Sequence, residues 1–448
     1  MLYQSYNNES RLKRITLPLP YDSLTFRTSA NTIKVVFKGA AMNFDHTEQS
    51  SHYDCIIAGA GASGLMLAAS LDLHGRRGLI LEKGRHPGAK LLLSGGGRCN
   101  ITHGGPVRDF LYAYGDAGPA LRKCLYRHSN AELAEWLEDH GIALADETGS
   151  PVSSGMLYDS GSADVRIFPA SMKAGDVLAV LTEQARAHGW EMRTATEIYD
   201  LLPGPDRSAG QLWTVKASPA ETFTAGSVVI ATGGITFPET GSDGSMFSIL
   251  RDLGIGITEL KPALAPVYVK DYPYEEMSGI SLSGVTVTAF SSDAAYTCKG
   301  KAARMTGDLL FTHRGFSGPV ILNISKYTEP GELLRISYNR ELSELPKRLQ
   351  RALEKRAAGP SGDVRTTVLA LLLERDDFTV DHTDENGMVT SGGISLDCID
   401  TSTMQITGQP GLYAIGEAID ADGITGGYNL QMCWSTARTA AEDIGQED

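Results

Sequence analysis

At 448 residues the chain is longer than one ordinary hydrophobic core supports, so two or three domains are expected. Apolar residues make up 42% and charged residues 21%, a globular balance that excludes a disordered chain. A formal charge of −14 argues against polyanion binding as the main task, because nucleic-acid affinity rests on Lys and Arg neutralising phosphates, and no nucleic-acid partner is expected.

The six cysteines (Cys55, Cys99, Cys124, Cys298, Cys398 and Cys433) are scattered, without a CxxC or a zinc-like Cys/His spacing. Neither a disulfide framework nor a metal site is expected, and a reducing, cytoplasmic compartment fits that usage. No apolar run reaches the roughly 18 residues of a membrane span.

In chain order, residues 1–51 read as an N-terminal extension without a clear period and are expected to be poorly ordered. Its first 41 residues carry six Lys/Arg against two Asp/Glu, and Met42 is a candidate start. Tyr53-Asp54-Cys55-Ile56-Ile57-Ala58 is a short apolar run suited to a buried parallel strand. It enters Gly59-x-Gly61-x-x-Gly64, followed by Leu65, Ala68, Ala69, Leu71 and Leu73 near helical spacing up to His74-Gly75. A second strand, Leu79-Ile80-Leu81, finishes on Glu82, with Lys83 beside it. Strand, glycine turn, helix and strand in this span form a βαβ unit.

That unit has the chemistry of a dinucleotide site. Gly59 permits the tight turn, Gly61 lets a pyrophosphate approach the backbone, and Gly64 lets the helix pack close to the strand. The helix start at Ala62-Ser63 offers free N–H groups and a partial positive charge to phosphates. Glu82, 18 residues past the third glycine, is placed to accept hydrogen bonds from the adenosine ribose hydroxyls.

Residues 129–141 and 171–189 read as helices, with Ser171 a candidate cap for the second, and a third buried strand is expected at Ser227–Ala231. Alternating β-branched runs such as Val285-Thr286-Val287-Thr288 and Leu333–Tyr338 mark an inserted antiparallel β-subdomain over 255–340. A small helical subdomain follows over 341–382, and the strand–glycine–helix texture then returns. Residues 52–254 and 383–448 are therefore expected to form one α/β Rossmann-like domain with two insertions.

The glycine loop alone does not separate FAD from NAD; two distant runs do. Val228-Val229-Ile230-Ala231-Thr232-Gly233-Gly234 resembles the strand-to-loop crossing of FAD enzymes. Leu412-Tyr413-Ala414-Ile415-Gly416-Glu417 resembles their late strand, where an acid follows glycine close to the ribityl chain. The runs Leu93-Ser94-Gly95-Gly96-Gly97-Arg98-Cys99-Asn100, Arg166-Ile167-Phe168-Pro169, Leu309–Pro319, Thr390–Ile394 and Asp422–Gln431 make the likeness specific. Over roughly residues 52–445 the chain resembles the BaiN/RdsA-type NAD(P)/FAD-dependent oxidoreductases, also known as aminoacetone oxidase-family flavoproteins. The resemblance implies an FAD-binding domain of the two-dinucleotide-binding-domain flavoprotein type, with a β-barrel and helices inserted.

The residues read independently in the same direction. Ser94, Gly95 and Gly97 with Arg98 and Asn100 offer backbone donors and a cation suited to a pyrophosphate and a flavin edge. Gly427, Tyr428, Asn429 and Leu430 open an amphipathic helix whose N-terminus would stabilise negative charge at the flavin N1–C2=O edge. Cys99, Tyr428 and His313 are the candidate catalytic groups. Without a partner cysteine, Cys99 fits a packing role better than a dithiol relay, and Tyr428 fits stacking better than proton donation. His313, with Arg314, would meet an anionic substrate or lie on a solvated turn.

The expected activity is electron transfer through FAD between NAD(P)H, or an organic donor, and a small organic substrate. No second GxGxxG stands in a βαβ setting, so NAD(P)H would be a transient co-substrate. Three alternatives stay open: an oxidase using O₂, an RNA-modifying flavoprotein, and a non-catalytic flavin redox sensor. No feature fixes an oligomeric state.

Overall fold

The computed structural model describes residues 25–29, 32–37, 40–44, 51–158, 165–204, 212–290, 303–358 and 365–446. Within the expected N-terminal extension, Thr25–Ser29, Thr32–Phe37 and Ala40–Phe44 form a three-stranded antiparallel meander, where no strand period was read. The rest of residues 1–50 lies outside the described residues.

Five parallel strands form the centre of the main domain: β1 Ser51–Ala58, β2 Gly78–Leu81, β3 Trp190–Arg193, β4 Glu221–Ile230 and β5 Leu412–Ala414. They pair side by side in the order β3-β2-β1-β4-β5. All of β2, Cys55–Ala58 of β1 and Val228–Ile230 of β4 are buried, as befits strands covered on both faces. Strand order reverses between β1 and β4, and such a switch point leaves a crevice at the carboxyl ends of the strands. Register keeps those ends level: Ile230 lies opposite both Ala58 and Ala414, and Ala58 opposite Leu81.

Helix α1, Ala62–Ser70, packs between the C-terminal helix, Tyr428–Gln446, and the helix Ala174–Ala187. It ends at Ser70, before the expected stop, but Leu71 and Leu73 stay buried in the turn that follows. A first insertion, between β2 and β3, combines helices with a small sheet that includes Thr102–His103 and Arg166–Pro169. Its helix Asn130–Asp139 begins with a capping box in which Ser129 and Glu132 each receive the other's backbone N–H. The N-cap position of Ala174–Ala187 is Lys173 rather than Ser171, so no side chain caps that helix.

The second insertion, between β4 and β5, is a closed six-stranded barrel of Val267–Val269, Gly315–Ser317, Ala303–Phe311, Ser281–Phe290, Leu333–Ser337 and Asp376–Thr383. Closure leaves no sheet edge open to pairing. The last strand corrects the expected boundary: Asp376–Thr383 follows the helices Lys347–Ala357 and Thr366–Glu374, yet completes the barrel. Those helices are an excursion from the barrel, and Leu349 and Leu353 share its core. The strand escaped notice because one of its inward positions is an acid, Asp376, which breaks the apolar alternation.

Asp376 is fully buried and accepts hydrogen bonds from Tyr274 (2.5 Å) and Tyr338 (2.8 Å), while Arg356 Nη1 stands 2.5 Å from its other oxygen. Burial raises its carboxyl above the ordinary range, against the pull of Arg356 and the two hydroxyls. This network fastens Lys347–Ala357 to the barrel wall. Asp376→Ala should lower stability by about 3 kcal/mol, because it strands a partly buried guanidinium and two phenols. Calorimetry of Asp376→Ala, Arg356→Met and the double variant checks this; coupling requires the double loss to be smaller than the sum.

Candidate cofactor cleft and active site

A cleft of about 570 Å³ opens at the switch point, lined by the carboxyl ends of β1, β2 and β4 and the segments that follow β5. The glycine loop has the geometry its sequence requires. Gly59 has φ +105°, and a β-carbon there would lie 2.5 Å from the Ala231 carbonyl oxygen. One on Gly64 would lie 2.1 Å from the Gly59 oxygen, whereas one on Gly61 would meet nothing within 4 Å. Gly59 and Gly64 are thus glycine for packing, and Gly61 keeps open space in front of the helix. No side chain caps α1, so its first N–H groups, at Ala62 and Ser63, face the cleft without a capping acceptor.

Glu82 is nearly buried at the end of β2; it accepts the Ala60 N–H at 2.8 Å and the Gly84 N–H at 2.6 Å. A carboxylate has about four acceptor sites, so it both braces the loop and retains capacity for hydroxyl donors. Lys83 is held by Glu197 at 2.7 Å and Asp243 at 2.5 Å. Burial works against the charge on Lys83, but these two carboxylates outweigh it and raise its pKa.

Glu417, just past β5, receives Lys90 Nζ at 2.6 and 2.9 Å, the Thr390 N–H at 2.8 Å and the Thr236 hydroxyl at 3.2 Å. Lys90 also donates to Thr236 at 2.8 Å and lies 5.5 Å over the Phe237 ring. Sequence reasoning missed Lys90, Thr236 and Thr390; the available signal was a lone cation beside the SGGG run, four residues before Ser94. Gly233, at φ +73°, turns the chain after β4, where a β-carbon would crowd Ser242 Oγ at 2.8 Å.

At the far end, Gly426 and Gly427, at φ +124° and +102°, turn the chain into the C-terminal helix. A β-carbon on Gly427 would lie 2.4 Å from the Thr102 carbonyl oxygen. The Asn100 amide, oriented with its nitrogen toward the Ile167 and Thr102 carbonyls, accepts the Gly427 N–H at 3.0 Å. Asn429 clamps the preceding loop, accepting the Gly423 N–H at 2.8 Å and donating to the Gly423 carbonyl at 2.9 Å. The barrel holds the same loop through Asn323, which accepts the Thr425 N–H at 2.8 Å, and through the ion pair Lys326–Asp422 at 2.8 Å. The cleft lining also includes the apolar residues Leu264, Pro319, Leu322, Met388 and Val389.

Of the expected site residues, Gly59, Gly61, Ala62, Ser63, Glu82, Lys83, Ser94, Gly95, Asn100, Thr232, Gly233, Glu417, Gly427, Asn429 and Leu430 line this one cleft. Gly64 and Gly416 lie behind it as packing positions; a β-carbon on Gly416 would lie 2.5 Å from Ser63 Oγ. Gly97 and Arg98 are exposed outside it, the guanidinium lying 4.8 Å over the Phe168 ring.

The candidate catalytic groups fall elsewhere. Cys99, at φ +62°, turns its side chain into the core, fully buried, and burial pushes its thiol up to about 12, so it is no nucleophile near neutral pH. The Tyr428 ring stacks on His103 at 4.9 Å and meets Phe110 edge-on at 5.0 Å, behind the glycine elbow rather than in the cleft. His313 is exposed at a barrel turn, off the cleft wall. Among the described residues no cluster of three or more His, Cys, Asp or Glu is arranged to hold a metal, and no helix is long and apolar enough to cross a membrane.

Two helix N-termini, an acid at each of two strand ends and glycines that clear the space between them fit a dinucleotide with a second, apolar-walled compartment. Lys90→Met should weaken FAD binding at least tenfold, or about 1.4 kcal/mol, by leaving Glu417 uncompensated. Flavin-fluorescence titration of the apoprotein measures this, and an unchanged affinity would remove the pair from the site.

The family description "HI0933-like protein Rossmann domain" matches residues 53–443. The chain is 30% identical over 430 residues to a ribosomal RNA dihydrouridine synthase of Escherichia coli (strain K12), covering 88% of this chain and 98% of that protein. It is 25% identical over 433 residues to a 3-dehydro-bile acid delta(4,6)-reductase of Clostridium scindens, covering 86% and 98%. Among solved structures, a 3-ketosteroid delta1-dehydrogenase of Sterolibacterium denitrificans superposes with a TM-score of 0.48 at 12% identity, covering 89% of this chain and all of that one. The chain belongs to the HI0933-like Rossmann family of FAD-binding oxidoreductases.

Proposed function

We propose that the protein saturates a carbon–carbon double bond conjugated to a carbonyl, with FAD as its resident redox group and NAD(P)H as a transient donor. What carries the reading is the chemistry shared by the names of two end-to-end relatives. Dihydrouridine is uridine with its 5,6-bond saturated, and that bond is conjugated to a ring carbonyl. A delta(4,6)-reductase acting on a 3-dehydro compound likewise saturates bonds conjugated to an oxo group. FAD, when bound and reduced, supplies hydride.

The chain's own residues have separable tasks in this reading. Gly61, Ala62 and Ser63 present the α1 N-terminus to the pyrophosphate, and Glu82 takes the adenosine ribose. Glu417, neutralised by Lys90, faces the ribityl hydroxyls. Ser94, Gly95 and Asn100 with Gly427 to Leu430 frame the ring, and the C-terminal helix dipole favours negative charge there. The apolar barrel residues give the substrate a wall to lie flat against. Neither Cys99, Tyr428 nor His313 has a part in the chemistry.

A uracil base in ribosomal RNA is the first substrate to test, because the relative that acts on ribosomal RNA is the more similar of the two. The net charge of −14 favours a small free enone as the second. Holoprotein bleached anaerobically with NADH or NADPH should be reoxidised by an unmodified rRNA fragment or by a cyclic enone, and not by the saturated counterpart. Reoxidation by O₂ alone would favour an oxidase and defeat the reading.

A further inference from the structure

We propose that Arg166 is a catalytic residue of this reaction, its guanidinium receiving the substrate carbonyl oxygen as negative charge builds on it. The inference rests on the reading above, that the substrate is a carbonyl-conjugated alkene.

Three cations line the cleft among the described residues: Lys83, Lys90 and Arg166. Two are committed. Lys83 is held between Glu197 and Asp243 at 2.7 and 2.5 Å, and Lys90 is bonded to Glu417 at 2.6 Å. Among the described residues Arg166 meets one carboxylate, Glu147, through a single nitrogen at 3.4 Å, with both side chains well exposed at 39% and 51%. A pair that long and that exposed holds weakly, and a guanidinium carries five N–H donors in a planar fork. Donors therefore remain for a ligand.

The strand that bears Arg166 is fastened to the glycine elbow. Arg166 pairs with His103 across an antiparallel ladder, and His103 Nδ1 stands 2.8 Å from the Gly426 carbonyl oxygen. The neighbouring Ile167 carbonyl receives the Asn100 amide nitrogen at 3.2 Å, while the Asn100 oxygen accepts the Gly427 N–H. Arg166 is thus positioned by the same frame that starts the C-terminal helix. The barrel supplies apolar residues to the same cleft, so a substrate ring has a wall to rest on while its oxygen meets the guanidinium.

Conjugate reduction needs such a group. As the β-carbon of the substrate gains hydride, with reduced flavin as its source, the alkene pair shifts toward the carbonyl carbon and the carbonyl pair moves onto oxygen. The resulting enolate takes a proton from solvent at its α-carbon, which closes the balance as a saturated carbonyl compound. Arginine stays protonated throughout, so it can stabilise the oxyanion without surrendering its proton.

The test uses FAD-loaded wild type, Arg166→Lys and Arg166→Met, with FAD content measured first to establish a folded, loaded site. The probe is 4-chlorophenol, whose phenolate is a planar oxyanion that gives a long-wavelength charge-transfer band with oxidised flavin. Wild type should bind the phenolate and lower the apparent phenol pKa. Arg166→Met should bind it at least tenfold more weakly, with Arg166→Lys between them. Turnover of the conjugated acceptor by Arg166→Met should fall about a hundredfold, the scale for removing one oxyanion donor. Phenolate binding by Arg166→Met equal to wild type, or none by wild type, overturns the inference and leaves the reductase reading standing. Failure of wild type to reduce any conjugated acceptor defeats that reading separately, whatever the phenolate result.

Discussion

The N-termini of α1 and the C-terminal helix open onto the same cleft because β1 and β5 flank β4 in matched register. A helix start carries unsatisfied N–H groups and about half a positive charge. Two such starts facing one gap make a site for an extended, negatively charged cofactor before any side chain is considered. The remaining architecture keeps those starts apart and pointed inward. Glycines do this at two close backbone approaches beside the cleft, Gly59 against Ala231 and Gly427 against Thr102.

The insertions are braces for that arrangement as much as walls. The first locks the elbow at Gly427 through Asn100 and the ladder that pairs Thr102 with Ile167 and His103 with Arg166. The barrel locks the loop ahead of it through Asn323 and Lys326, so both insertions bear on a few residues between β5 and the C-terminal helix. A small apolar cluster of Ala263, Leu264, Leu322 and Val389 sits where the chain leaves for the barrel and returns. Leu264, Leu322 and Val389 also line the cleft.

Legibility in the sequence followed locality. Gly59, Gly61, Gly64 and Glu82 belong to one βαβ unit, and their roles follow from strand, turn and helix geometry alone. The central pair Lys90–Glu417 joins positions 327 residues apart, and nothing local marks Lys90 as its member. Arg166 was visible only as part of a family-like run, because its link to Gly426 passes through His103, its partner across a sheet of distant segments. Cys99 has the packing role its isolation from other cysteines favours: its neighbour Asn100 lines the cleft, while the Cys99 side chain is fully buried in the core. The helical subdomain dissolved into the barrel because Asp376 occupies an inward position that an apolar pattern cannot reveal.

The central claim is that the cleft is built for a whole dinucleotide, gripped at the adenosine end by Glu82 and α1 and at the ring end by the elbow at Gly427. The most direct measurement is the stoichiometry and affinity of FAD against FMN for the protein stripped of flavin. One FAD per chain, with FMN bound at least a hundredfold more weakly, is the predicted result, since FMN forgoes every contact at the adenosine end. Equal affinity for the two, or no uptake of FAD, would contradict it.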